Sequence, residues 1–291
     1  MGIREKLREN AFIKLFNVAP KSAQAMVIIG TTMVIILLIF VLFGEIITPY
    51  DPLQFSDDLL QAPSMKHWMG TDLLGRDLFS RLIAGTKFSL GVALIAVGVS
   101  LTIGLVLGSI SGFYGGPLDR LLMLIMDSLY VFPGFIFVLL MAVVLGPGLW
   151  QTALAVSFGR IPSNFRMIRS ITLSIKERGF IEAERLLGAT NMEIIFNHIA
   201  PFYLSILFVT VSLGLARGTL AISGLGFLGL GIPPPTPEWG TELAMGRQYL
   251  LRGAWWGVVF PGFFVLIAML GFNLLSEGLD AVLNPTVRRL K

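Results

Sequence analysis

The feature that most constrains this chain is a series of long stretches without a charged side chain. Six stretches contain no Asp, Glu, Lys or Arg, and they cover residues 22–44, 88–118, 128–159, 200–216, 218–237 and 253–276. A helix needs about 20 mostly apolar residues to cross the hydrocarbon core of a bilayer. The chain is 55% hydrophobic and only 14% charged, with a mean hydropathy of +0.79, so we predict an integral membrane protein.

Glycine and proline divide the two stretches that are too long for a single crossing. Phe-Tyr-Gly-Gly-Pro at 113–117 ends one helix and begins another, and Gly-Pro-Gly at 146–148 does the same further along the chain. The sequence therefore predicts an all-α, polytopic membrane protein with six transmembrane helices. We place them at residues 24–46, 86–112, 118–145, 149–171, 200–222 and 255–278.

The charges that flank these helices indicate how the chain is oriented, because Lys and Arg on short flanks stay in the cytoplasm. The segment before the first helix is basic, residues 47–85 are more acidic, and the last four residues are basic again. Six crossings return the chain to its starting side. We therefore expect cytoplasmic N- and C-termini in a multi-pass protein of the plasma (inner) membrane. The first helix is too long for a cleaved signal peptide and is interpreted as a signal anchor.

The chain divides into four predicted parts. Residues 1–21 form a cytoplasmic or interfacial helical element, because their apolar side chains fall on one helical stripe. The first transmembrane helix and an outer loop occupy residues 22–85. A core of five transmembrane helices covers 86–280 and includes an inner loop at 172–199, and a cytoplasmic tail covers 281–291.

Several kinds of chemistry find no support in the sequence. It contains no phosphate-binding loop of the form G-x-x-x-x-G-K-[ST], no cysteine and no catalytic motif, and its two histidines fall on opposite sides of the predicted membrane. A net charge of +4 is too small for a nucleic-acid binder. We therefore expect no catalytic residue, metal ligand or cofactor in this chain, and no nucleic-acid partner.

Two features inside the predicted helices leave alternatives open. Asp127 and Arg160 are charges within the third and fourth helices, and they are compatible with a structural ion pair or with a functional site. Gly104, Gly108 and Gly112 form a face on the second helix that allows another helix to approach closely. The approaching helix belongs either to this chain or to a partner subunit.

The inner loop is the most informative segment. A first helical piece is predicted to end near Gly188, and Thr190 or Asn191 is suited to cap a second short helix. The second helix places Ile194, Ile195 and His198 at adjacent positions. The segment is predicted to form an exposed helical knob with an apolar face, of the kind that docks in a groove of a soluble partner.

This loop resembles the cytoplasmic loop of the permease subunits of ATP-binding-cassette importers. Their pattern is E-A-A, three residues, G, nine residues, then I-x-L-P. The matching residues here are Glu182, Ala183, Gly188 and Pro201, and the departures are Glu184, His198 and Ala200. His198 occupies the isoleucine position of this pattern. A histidine there is typical of the peptide and nickel branch of the family, which this loop therefore resembles.

Two further segments are similar to the same branch. Residues 67–82, His-Trp-Met-Gly-Thr-Asp-Leu-Leu-Gly-Arg-Asp-Leu-Phe-Ser-Arg-Leu, resemble its signature H-x-x-G-T-D-x-x-G-R-D-x-x-S-R-L. Residues 227–240 resemble its second signature, L-G-L-G-x-x-P-P-x-P-x-W-G. The N-terminal element and the Asp51–Pro52 loop resemble the second, C-type, of the branch's two paired permeases.

The resemblance implies the type I importer permease fold and a transmembrane permease subunit of an ATP-driven importer. The implied partners are a homologous second permease, two ATPase subunits that hold ATP and Mg, and an extracytoplasmic binding protein that delivers di- or oligopeptides. Coupling to the ATPases would involve Glu182, Ala183, Glu184, Gly188, Ala189, Ile194, His198 and Pro201. Contacts with the binding protein would involve Trp68, Asp72, Arg76 and Trp239.

Three alternatives stay open from the sequence. The same machinery imports nickel chelates or oligosaccharides in other members of the branch. A gradient-driven carrier that acts without ATPases would need its own ion or proton site. A membrane enzyme would need a catalytic constellation.

Overall fold

The computed structural model describes residues 15–283, and within that range the protein is helical, with one isolated β-bridge between Thr71 and Asp77. Of the predicted N-terminal element, residues 15–21 are described, with residues 15–18 helical, and residues 1–14 lie outside the described residues. The last eight residues of the predicted tail, 284–291, also lie outside them.

Ten α-helices follow one another from Lys21 to Leu283. They are α1 (Lys21–Ile47), α2 (Leu78–Tyr114), α3 (Gly116–Tyr130), α4 (Gly134–Leu145), α5 (Leu149–Lys176), α6 (Gly179–Leu186), α7 (Asn191–Glu193), α8 (Leu204–Phe227), α9 (Trp239–Tyr249) and α10 (Trp256–Leu283). Between α7 and α8 the backbone forms a π-helix over Ile194–Ile199 and a 3-10 helix over Ala200–Tyr203. A short 3-10 helix, Leu250–Arg252, follows α9.

Four helices within residues 15–283 are long and apolar enough to cross a bilayer: α1, α2, α10 and the Ile206–Phe227 part of α8. The pair α3 and α4 makes a fifth candidate if the two are counted as one broken span. The six predicted crossings are therefore not confirmed. The fourth predicted span does form a helix, α5, but polar residues such as Gln151, Arg160 and Asn164 keep it from qualifying by composition.

The prediction of one continuous helix over 118–145 is wrong. The chain bends by 89° between α3 and α4, at Val131, Phe132 and Pro133. Proline has no backbone N–H and its ring clashes with the preceding turn, so a helix rarely continues through it.

Three further features, near the start of α2 and between α8 and α10, also differ from prediction. α2 begins eight residues before the predicted 86, because the carboxylate of Asp77 accepts a hydrogen bond of 2.8 Å from the backbone N–H of Ser80. α8 continues to Phe227 and not to 222. The segment between the fifth and sixth predicted helices, residues 223–252 or so, which six crossings place on the outer side, contains a further helix, α9.

The glycine face of α2 packs within this chain. An added Cβ at Gly108 would lie 2.7 Å from the carbonyl oxygen of Phe165 and 3.0 Å from the Cβ of Ile168, so only glycine lets α5 approach this closely. Gly104 and Gly112 meet α5 in the same way, at Asn164 and Thr172. Of the two alternatives for this face, packing against a helix of the same chain is therefore confirmed.

Candidate functional site

The segment that follows α5 forms a protrusion at the end of the bundle where α2 ends, and we call residues 179–203 the knob. α6 ends at Leu186, and the chain reverses at Gly188, whose φ of +88° lies in the left-handed region that glycine adopts without strain. The backbone N–H groups of Gly188 and Ala189 donate to the carbonyls of Arg185 and Glu184, each over 3.1 Å. The predicted stop at Gly188 is therefore present.

Thr190 begins the second helical piece of the knob through a capping box. The backbone N–H and the hydroxyl of Thr190 donate to the Glu193 carboxylate over 2.7 and 2.8 Å, and the Thr190 hydroxyl accepts from the Glu193 N–H over 3.3 Å. These bonds hold the pKa of Glu193 below its usual value. The carboxylate half of the cap is therefore formed at neutral pH and weakens only as the pH falls through that lowered pKa.

An apolar cluster fixes the knob to the bundle. Ile181, Ile194, Ile195 and Ile199 are buried against residues of α2 and α5, which include Phe113, Ile168 and Ile175. The hydroxyl of Tyr203 adds hydrogen bonds to Thr172 of α5 over 2.6 Å and to Ser109 of α2 over 3.1 Å. A force applied to the knob is therefore transmitted to two long helices, because packed interiors are stiff.

The knob exposes large apolar side chains among its polar ones, but they are not the apolar side chains that the sequence suggested. Leu186 and Leu187 are 85% and 82% exposed at the end of α6, and Phe196 is 68% exposed. Ile194 and Ile195, which the helical spacing placed on a docking face, lie in the core cluster. The π-helix changes the angular spacing of side chains, so a pattern based on 3.6 residues per turn assigns the wrong face.

The eight predicted coupling residues fall into three groups by exposure. Glu182, Ala183, Gly188 and Pro201 are exposed. Glu184, Ala189 and His198 are half-buried, and the imidazole Nε2 of His198 lies 3.7 Å from a carboxylate oxygen of Glu184. Ile194 is fully buried, so it supports the knob from within and is not available for direct contact.

Most of the residues predicted to contact a binding protein are internal. Trp68 is 57% exposed, as a contact residue must be. Asp72 and Arg76 are buried and pair with each other over 2.6 Å, and Trp239 is fully buried with its indole N–H donating to the carbonyl of Leu82 over 3.0 Å. In this conformation these three side chains pack beneath the surface, and Trp68 is the one of the four that the surface presents.

A buried ion pair joins the two predicted outer segments, and the sequence offered no sign of it. The Arg81 guanidinium donates to the Glu242 carboxylate over 2.5 and 3.0 Å, and both side chains are nearly inaccessible. Arg81 also donates to the carbonyl of Pro52 over 2.8 Å. The partners are 161 residues apart in sequence, so only the folded chain brings them together.

His67 stabilises the loop before α2 at the same end of the bundle. Its Nδ1 lies 2.9 Å from the carboxylate of Asp77, which also caps α2. Asp58 lies 3.4 Å from its Nε2. The charged residues of the 67–82 signature are therefore used for internal pairing, which holds the loop before α2 in place.

Asp127 and Arg160 do not pair with each other. Asp127 pairs with Arg166 over 2.6 Å on a partly exposed surface, which makes it a structural ion pair. Arg160 has its Nε buried without a hydrogen-bond partner among residues 15–283. Within those residues, no group of three or more His, Asp or Glu side chains is placed to hold a metal ion.

Comparison with known proteins finds relatives along most of the chain. The dipeptide transport system permease protein DppC of Alkalihalophilus pseudofirmus is 36% identical over 262 residues, which are 90% of this chain and 86% of that protein. The di/tripeptide transport system permease protein DppC of Pseudomonas aeruginosa is 38% identical over 89% of this chain and 88% of its own. The glutathione transport system permease protein GsiD of Escherichia coli is 38% identical over 91% and 88%.

A solved structure shares the fold. Inward-facing conformations of the MetNI methionine ABC transporter align with a TM-score of 0.52 at 20% identity, over 68% of this chain and 95% of that chain. The family of binding-protein-dependent transport system inner membrane components matches residues 104–289, a range that includes the knob. From this match and the curated relatives, the chain belongs to the family of binding-protein-dependent transport system inner membrane components.

Proposed function

We propose that this chain is the C-type permease subunit of an ATP-driven importer of di- and tripeptides, and that energy enters it through the knob. The observation that carries this proposal is the construction of the knob, with an exposed apolar tip at Leu186 and Leu187 above a buried base. Separate ATPase subunits bind ATP and Mg. Their closure moves the knob, and the knob moves α2 and α5.

The substrate class is taken from the relatives. Three of them are named for the transport of dipeptides, di/tripeptides and glutathione, which is itself a tripeptide. None of these names refers to nickel chelates or oligosaccharides. Peptides are therefore favoured over the other two substrates of the branch.

We further propose that the chain crosses the membrane six times with both termini in the cytoplasm. α5 accompanies the long apolar helix α2 in close contact, from Gly104 against Asn164 to Gly112 against Thr172. A helix packed along a membrane span in this way lies at the same depth in the bilayer as that span. α3 and α4 together provide the remaining crossing, with a bend at Pro133.

The contact surface for the binding protein is proposed at the opposite end of the bundle from the knob. The exposed apolar side chains of this end are Phe55, Leu59, Met65, Trp68 and Leu251. They surround the structure that the Arg81–Glu242 pair holds together. A homologous second permease completes the membrane unit.

Reconstitution tests this function. Liposomes that contain this chain, the second permease and the ATPase subunits, supplied with the binding protein and a radiolabelled tripeptide, are expected to accumulate the peptide only when ATP is present. Omission of the ATPases is the control that separates this importer from a gradient-driven carrier. Equal uptake without ATPases would overturn the proposal.

A further inference from the structure

Two arginines, Arg160 of α5 and Arg217 of α8, line two neighbouring cavities, which we treat as the two parts of one site and call the cavity. The parts measure about 400 Å³ and about 560 Å³, and both arginines, with Gly134 and Gly159, belong to the walls of both. Ligand sites in proteins commonly measure about 300–1,000 Å³. The space is therefore large enough for a small peptide.

The guanidinium groups of Arg160 and Arg217 have no carboxylate partner within residues 15–283, whereas those of four other arginines do. Arg76, Arg81 and Arg166 each form an ion pair with an acidic side chain. Among residues 15–283, no ion pair forms at Arg160 or Arg217, and the Nε of Arg160 is buried with no hydrogen-bond partner. Two like charges share the cavity without an anion to balance them.

The bend between α3 and α4 brings a third positive element to the same place. α4 begins at Gly134, which lies in the wall of both parts of the cavity, and no side chain caps its first turn. The N-terminus of a helix carries a partial positive charge and free N–H groups. The cavity therefore offers N–H donors from two side chains and one helix end.

Arg160 and Arg217 lie near the middle of their helices, where a positive charge is energetically costly to bury. At 1.5 Å per residue, Arg160 lies about 16 Å from the Leu149 end of α5 and Arg217 about 15 Å from the Phe227 end of α8, so both are near mid-helix. Ionisable residues at this depth face a protein interior or a water-filled cavity and mark substrate pathways. The apolar remainder of the wall includes Phe135, Val138 and Leu220.

We propose that Arg160, Arg217 and the first turn of α4 bind the C-terminal carboxylate of the peptide during its passage through the membrane. Every di- or tripeptide with a free C-terminus carries this group, so one site serves many side-chain sequences, while the apolar wall accepts the side chains. Arg217 is exposed in the isolated chain, which keeps the carboxylate partly hydrated and its release rapid. The inference rests on the proposed importer function.

The test uses the complete transporter in phosphatidylcholine liposomes with a radiolabelled tripeptide. The double variant Arg160→Gln/Arg217→Gln is expected to lower peptide uptake per ATP hydrolysed about tenfold, the effect of losing roughly one charged hydrogen bond. Its ATP hydrolysis stimulated by the binding protein is expected to persist. The variant Arg160→Lys/Arg217→Lys keeps the charge and is expected to recover most of the uptake.

Arg166→Gln is the matched control, because this arginine lies on the same helix but is already paired with Asp127. Its uptake is expected to equal that of the wild type. The single variant Arg217→Gln covers the case in which the double variant does not assemble. A tripeptide with a diazirine side chain is expected to label α4 and α8 of the wild type, and Arg217→Gln is expected to reduce this labelling several-fold.

Unchanged uptake and labelling in the Gln variants, while the wild type transports peptide, would overturn this inference and leave the importer function intact. Loss of wild-type labelling when phosphatidylglycerol is added would also overturn it, because a lipid headgroup would then occupy the cavity. Equal losses in the Gln and Lys variants would assign the arginines to assembly with the second permease. Absence of uptake by the wild type would overturn the importer function together with this site.

Discussion

Replacing Gly188 by tryptophan is expected to abolish ATP-driven peptide uptake in a protein that still folds and inserts. Gly188 lies at the exposed turn between the two helical pieces of the knob, and an added Cβ would meet no atom of this chain within 4 Å. A large side chain therefore disturbs little inside the subunit but fills the space into which an ATPase must fit. The φ of +88° adds strain of about 1–2 kcal/mol for any L-residue.

Gly188→Ala is the matched control, because it carries the same backbone strain with almost no added bulk. It is expected to retain most of the uptake. Thermal unfolding of the purified proteins should give similar midpoints for both variants, which shows that bulk and not misfolding causes the loss. Normal uptake by Gly188→Trp would show that the knob does not contact the ATPases.

The second large effect concerns the buried ion pair at the opposite end of the bundle. Arg81→Leu leaves the Glu242 carboxylate buried without its partner, and such a loss typically costs about 3–5 kcal/mol. The variant is expected to yield much less folded protein and a markedly lower midpoint of thermal unfolding. Lys66→Leu is the control, because its pair with Asp58 lies at the surface, where water screens the attraction between the two charges.

The double variant Arg81→Leu/Glu242→Leu removes both charges and is expected to recover a large part of the lost stability. If Arg81→Leu unfolds at the same temperature as Lys66→Leu, the pair does not hold the two outer segments together. The surface proposed for the binding protein would then lack its support.

Apolar runs in the sequence predict where most helices lie, but not where they bend or begin. α1 and α10 lie within a few residues of prediction. The uncharged run 128–159 conceals the bend at Pro133, because hydropathy carries no information about direction. α2 begins earlier than predicted because a rule that ends a span at a charged residue stops at Lys87. The rule therefore also leaves out Arg81, whose charge is balanced by a residue far away in sequence.

The knob shows the same division between local and long-range information. Its glycine turn is a local signal and lies where predicted, and the cap falls on Thr190, one of the two residues that the sequence offered for it. The burial of Ile194 depends on the π-helix and on the cluster beneath it, and neither is visible in a helical pattern. The outer signature likewise contains charged residues that suggest a surface, although Asp72 and Arg76 are buried.

The proposed function requires a neighbouring ATPase to act on the knob from the cytoplasm. The chain contains no cysteine, so a single introduced thiol reports on one position. Ala183 is exposed on the knob and Met65 is 94% exposed at the opposite end of the bundle. Ala183→Cys and Met65→Cys are therefore a matched pair for labelling with a membrane-impermeant maleimide in oriented vesicles.

The measurement compares inside-out vesicles stripped of ATPases, the same vesicles after the ATPases are restored, and right-side-out vesicles. Ala183→Cys is expected to react only in the inside-out vesicles and to be protected when the ATPases bind, whereas Met65→Cys reacts only in the right-side-out vesicles. Labelling of Ala183→Cys from the outside, or labelling that the ATPases leave unchanged, would contradict the claim.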